Sequence, residues 1–160
     1  MTNWREYFED WSTSRPASEE RIGEIETYLD VRLPEDYRDL LRTTGGGDLA
    51  QGHCFLPGSF SGGWSDGVLL VSIFGNGDGG MSNVDDELGS KYLTAEWGYP
   101  DVGMVLGLSA SGGHDALLYN FRHPDHPVGA VLFYTEDEDL YRVADSLTGL
   151  FDVLTSEPDD

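Results

Sequence analysis

The chain has 160 residues, of which 9 are Lys or Arg and 30 are Asp or Glu, giving a formal charge of −21. That balance excludes nucleic-acid binding and attachment to an anionic membrane surface, since both need clustered cations to meet phosphate. A hydrophobic content of 39%, with 12% aromatic residues, supports a packed core of the size one domain needs.

In chain order, Asn3 and Glu6 are spaced as a capping box, and Trp4, Phe8 and Trp11 fall on one face of a short first helix. Pro16 interrupts the chain, and Ser18 caps a second helix whose first turn carries Glu19 and Glu20. Its apolar stripe is Ile22, Ile25 and Leu29. Pro34 opens a third helix with Tyr37, Leu40 and Leu41 inward, and Gly45-Gly46-Gly47 ends it. Most of the 21 glycines lie between Gly45 and Gly113, a density that means turns and loops.

Residues 53–56 and 68–74 read as strands, followed by the loop 75–80. Asn83 then caps a helix with Asp85, Asp86 and Glu87 in its first turn and Val84, Leu88, Tyr92 and Ala95 on one face. Residues 102–108 alternate with period two as a strand, and Gly103 and Gly107 leave room for a neighbouring element. Further strands span 116–121 and 128–134, split by the His123 to Pro127 loop. Residues 136–139 form a turn, 141–143 a short strand, and Asp145 or Ser146 caps a last helix burying Leu147, Leu150, Phe151 and Leu154. The tail from Glu157 is loose. Strands that follow one another through short connections predict antiparallel pairing and an α+β fold in a single domain, 1–160, with its core at about 18–154.

Several residue groups invite a chemical reading. Asn76, Asp78 and Glu87 stand at positions one, three and twelve of a calcium-type loop, but Gly80 and Met81 occupy positions that need a ligand and a glycine. His114 and Asp115 are adjacent at a strand start, where side chains point to opposite faces. His123 and His126 lack further ligands for a metal. Cys54 is alone, so it forms no internal disulfide, and it reads as a small buried hydrophobe beside His53. No nucleophile, base and orienter come together, so neither catalysis, metal nor cofactor is expected. The N-terminus lacks an apolar signal core, and no apolar run nears ~18 residues, so a reducing cytoplasm is the expected location.

The pattern Ile22, Glu24, Ile25, Glu26, then Leu33-Pro34-Glu35-Asp36-Tyr37, Leu40-Leu41 and Gly45-Gly46 resembles the opening of the SUKH superfamily. That group holds the yeast Smi/Knr regulators and many bacterial toxin-immunity proteins. Trp97-Gly98-Tyr99-Pro100-Asp101-Val102-Gly103, Ser111-Gly112-Gly113-His114-Asp115 and the last strand and helix extend the similarity to about 18–154. The Gly-rich stretch 57–80 departs from the short family core. The resemblance implies N-terminal helices and a C-terminal helix packed on a twisted, mainly antiparallel sheet. It also implies a binding role without catalysis: a bacterial immunity protein that neutralises a cognate toxin, often a nuclease.

Charge fits that role unevenly. Residues 1–42 are net −5, whereas 43–121 and 122–160 are each net −8, the middle segment holding Lys91 as its one cation. A nuclease must be basic where it holds phosphate, and an acidic inhibitor can occupy that surface with steered association. Composition typical of halophilic or GC-rich genomes would also give few lysines. The expected contact residues are Asp85, Asp86 and Glu87, the run Glu136, Asp137, Glu138 and Asp139, and Trp64 as an aromatic anchor. The first acidic trio also serves as a helix start, Trp64 also suits a fold-back onto the core, and the second run also suits a solvated turn. A regulatory or scaffold module that binds protein without any toxin is the alternative function.

Overall fold

A computed structural model describes residues 2–63, 66–77 and 82–158. Helix α1 (Glu19–Leu29) starts where Ser18 accepts the Arg21 N–H, and Ile22, Ile25 and Leu29 are buried along it. Pro34 precedes α2 (Glu35–Thr43), whose Tyr37, Leu40 and Leu41 are fully buried. The chain leaves α2 through Gly45 and Gly46, both at positive φ. At Gly45 a side chain would strike the Arg15 carbonyl, and at Gly46 that of Ile73, so the turn needs glycine for space as well as for φ.

Antiparallel strands follow. β1 (Gly47–Asp48) pairs with β4 (Ser72–Ile73), and β2 (Phe55–Pro57) pairs with β3 (Gly67–Leu69). The main sheet runs β5 (Gly103–Leu108), β6 (Ala116–Asn120), β7 (Val131–Tyr134) and β8 (Leu140–Ala144) in that order. The β4 segment lies along the outer side of β5: Val71 N–H donates to the Leu108 carbonyl at 3.0 Å and Phe74 N–H to Leu106 at 2.7 Å. Helix α3 (Ser90–Trp97) leads into β5, and α4 (Leu147–Val153), capped by Ser146, closes the described fold. The α+β architecture is therefore as expected.

Four local expectations are corrected. The first helix is two 3-10 turns, Trp4–Tyr7 and Asp10–Ser12, without a side-chain cap, and Trp11 is 78% exposed. The stretch 68–74 is not one strand, because its first half pairs with β2 and its second with β1, and residues 53–56 become strand at Phe55 after a 3-10 turn. Asn83 caps no helix. α3 begins at Ser90, with no acid in its first turn, and Leu88 and Tyr92 are exposed. β5 does not alternate either, since Met104 to Leu108 are buried throughout. Its Gly107 does admit a neighbour, for a side chain there would sit 2.1 Å from the Ser72 carbonyl.

Asp36 ties three elements together. Its carboxylate accepts the Tyr37 N–H at 2.8 Å, the Tyr119 hydroxyl of β6 at 3.2 Å, and the Thr148 N–H and hydroxyl of α4 at 3.1 and 3.2 Å. It thus supplements Ser146 as a cap for α4 from a residue 112 positions away. Asp36→Ala is expected to cost about 2 kcal/mol, because it strands these donors. Urea denaturation checks it, and an unchanged midpoint would contradict it.

Burial raises the hydroxyls of Tyr37, Tyr99 and Tyr119 above the ordinary tyrosine value, with Asp115 adding to the effect at Tyr99 and Asp36 at Tyr119. In the unfolded chain they ionise near pH ~10. Above that pH the folded state keeps more protons than the unfolded one. Stability from this source is complete below pH ~10 and is lost as pH rises through the raised values. Denaturation midpoints should therefore fall between about pH 9 and about pH 11, and a flat profile there would contradict this.

Candidate protein-binding site

The turn between β7 and β8 is a tight hairpin. Thr135 N–H donates to the Asp139 carbonyl at 3.0 Å, and Glu138 N–H donates back to Thr135 at 2.9 Å. Closing the loop puts Glu138 at φ 65, a conformation that suits glycine or asparagine. Thr135 is wholly buried and shares a 2.6 Å hydrogen bond with the Ser61 hydroxyl. Around it, Glu136, Asp137, Glu138 and Asp139 are all exposed.

Two other loops hold this tip. Asp115 is 1% exposed at the start of β6 and accepts the Glu136 N–H at 3.0 Å. Gly62 N–H donates to Asp137 Oδ2 at 2.9 Å, and Ser61 N–H to the Tyr141 hydroxyl at 3.2 Å. The tip is thus fixed to the loop before β3 and to the turn before β6. Trp97 packs on Gly113 and its ring meets His114 edge-on at 5.3 Å, so a 41%-exposed tryptophan stands beside that same turn.

The acids of the tip have no ion pair among the described residues. Arg21, Arg38 and Arg42 engage Glu19, Glu24, Glu26, Glu35 and Asp85, while Arg122 takes Asp101 and Arg142 takes Asp145. Among the described residues no Lys or Arg lies within ion-pair distance of residues 136–139. Three of these five arginines, Arg21, Arg38 and Arg42, sit on α1 and α2. Burial, followed by the charge of Glu138, pushes the Tyr134 hydroxyl up.

The other predicted contact residues lie elsewhere. Asp85 is held by a bidentate bond from Arg21 at 2.5 and 2.6 Å, an interaction that raises the guanidinium's affinity for its proton. Asp86 Oδ1 accepts the Leu88 N–H at 3.2 Å, and Glu87 is exposed. This trio therefore belongs to a turn locked onto α1 and not to a helix start, since α3 begins only at Ser90. Trp64 lies outside the described residues.

Asp78, Gly79, Gly80 and Met81 of the calcium-type loop also fall outside the described residues. Asn76 of that loop spends its carbonyl on Arg21 and its amide on the Arg15 carbonyl. The rings of His123 and His126 lie 4.9 Å apart, and burial with the neighbouring His123 holds His126 below the ordinary imidazole value. His123 Nδ1 accepts the Asp125 N–H, while buried Asn120 bonds the carbonyls of His123, His126 and Pro127. Among the described residues no three His, Cys, Asp or Glu side chains are arranged to hold a metal. Burial pushes the Cys54 thiol up, away from the thiolate. Among the described residues no helix is long and apolar enough to cross a membrane.

The acidic turn is legible in the sequence, whereas its supports at Ser61, Gly62, Asp115 and Thr135, and the exposure of Trp97 beside it, are not. The Ser-Gly-Gly and Gly-Gly-His-Asp runs were the available signals. Glu138→Gly should stabilise the fold by about 1 kcal/mol by removing the left-handed strain, and a lowered urea midpoint would contradict this.

The model of the SMI1 / KNR4 family (SUKH-1) matches residues 16–152, from just before α1 to within α4. No curated protein matches the chain.

Proposed function

The chain belongs to the SMI1 / KNR4 family (SUKH-1), and we propose that it is an immunity-type protein that captures a basic, nuclease-like toxin in the bacterial cytoplasm. It acts by binding, without turnover. The observation that carries this reading is the hairpin tip, where four adjacent exposed acids have no cation beside them among the described residues. Four like charges on one turn repel one another, and among them only Asp137 has a side-chain hydrogen bond within the described fold, to the Gly62 N–H. Cations of a partner would relieve that repulsion and would be steered toward it by the −21 field. Trp97 supplies an aromatic contact at the neighbouring turn.

The test is co-expression. A gene immediately upstream should encode a large secreted protein whose C-terminal domain is basic and toxic when expressed alone. Co-expression of the acidic chain should restore growth and give a purifiable complex. A free-standing gene, and a chain that recovers a non-toxic protein instead, would replace the immunity reading with that of a regulatory scaffold.

A further inference from the structure

Strand β8 ends the order β5-β6-β7-β8, and no described strand pairs with its outer side. Antiparallel strands alternate between residues that bond across the pair and residues whose N–H and C=O point away. Thr135 and Asp139 bond across the hairpin. Counting from them, Tyr141 faces β7, while Leu140 and Arg142 present their backbone groups outward. Among the described residues no backbone bond from another element reaches those groups. Beside this edge lies an apolar pocket of about 320 Å³ lined by Leu56, Pro57, Phe60, Arg142, Val143 and Val153. The acidic tip stands at the start of the same strand.

We propose that β8 accepts an extended segment of a basic protein partner as an added strand. The backbone of that segment bonds Leu140 and Arg142, one apolar side chain enters the pocket, and Lys or Arg side chains meet residues 136–139. This rests on the reading that the partner is basic. Charge selects that occupant over a second copy of the chain. Antiparallel self-pairing centred on Arg142 would set two arginines opposite each other and place Asp139 of one copy opposite Asp145 of the next. The edge is otherwise guarded as lone edges are, being five residues long, with a charged Arg142 and a register shift at Val131 and Leu132.

The probe is a synthetic octapeptide alternating lysine and valine, with amide exchange read residue by residue by NMR. Saturating peptide should slow exchange at Leu140 and Arg142 about tenfold and shift the Val143 and Val153 methyl signals. A glutamate–valine octapeptide should do neither. Arg142→Pro, which removes an outward N–H and leaves the β7 ladder, should abolish the protection. So should methylating alternate peptide amides, a control independent of any folding defect. Shifts confined to residues 136–139, with both amides unprotected, would overturn strand addition while leaving the basic-partner reading intact. Concentration-dependent protection without peptide would assign the edge to a second copy. Absence of peptide binding would overturn the proposal, whereas toxin neutralisation tests the functional reading separately.

Discussion

Charge reversal at the hairpin, by Glu136→Lys, Glu138→Lys and Asp139→Lys together, is expected to weaken binding of the basic partner about 100-fold, chiefly through slower association. Asp137 is left in place because its carboxylate holds the Gly62 N–H. The three replaced side chains are exposed and take no side-chain hydrogen bond or ion pair among the described residues, so thermal stability should hold or rise as like-charge repulsion ends. The control is an equal change of net charge at Glu6, Asp10 and Glu157, which are exposed and distant in sequence from the hairpin. That variant should lose less than about fivefold, since its contribution is only to the long-range field. Surface plasmon resonance on both variants decides the matter. Equal losses would assign the effect to overall charge and remove the hairpin from the interface.

The largest expected effect on folding is at Gly107. Gly107→Ala places a carbon 2.1 Å from the Ser72 carbonyl oxygen, a backbone atom held in the β1–β4 pair. Backbone cannot rotate away as a side-chain tip can, so the β4 segment must separate from β5. A loss of about 3 kcal/mol is expected. Gly23→Ala sets the scale in the other direction. It lies within α1 with nothing within 4 Å of the added carbon, and it should gain about 0.8 kcal/mol from helix propensity. Urea titrations of the two variants should therefore move oppositely. A Gly107→Ala protein as stable as the parent would mean that β4 does not lie along β5.

The contrast between those glycines mirrors what sequence could reveal. Gly107 stood on an alternating apolar run as a place for a neighbour, and Ser72 proves to be that neighbour. Ser18, the α1 stripe, Pro34 before α2 and the Gly45-Gly46 exit were equally legible, because caps and 3.6-residue periods are local signals. Errors arose where a distant group decided the outcome. Asp85 was read as a helix-start acid, yet Arg21, 64 residues away, takes its carboxylate. Residues 68–74 looked like one strand because nothing local records that two different partners divide them. Trp11 fitted a helical face only while a helix was assumed, and 3-10 turns carry it outward.

The candidate site divides in the same way. Four consecutive acids between two strands announce a turn. Their support does not, because Asp115 reaches Glu136 across 21 residues and Gly62 reaches Asp137 across 75. The absence of a cation at the tip among the described residues is likewise non-local, for it depends on which carboxylates the arginines choose. Those of α1 and α2 are spent on the N-terminal helices and Asp85, and Arg142 turns toward Asp145.

Electrostatic capture of a basic partner by the exposed hairpin is the central claim, and the salt dependence of association tests it most directly. The association rate of the unaltered chain with the basic partner recovered by the co-expression test should be measured from about 50 mM to about 500 mM salt. A rate falling at least tenfold across that range, with the fall largely removed by the triple reversal at Glu136, Glu138 and Asp139, is the predicted result. A rate indifferent to salt, or a fall that the reversed variant shares, would contradict it.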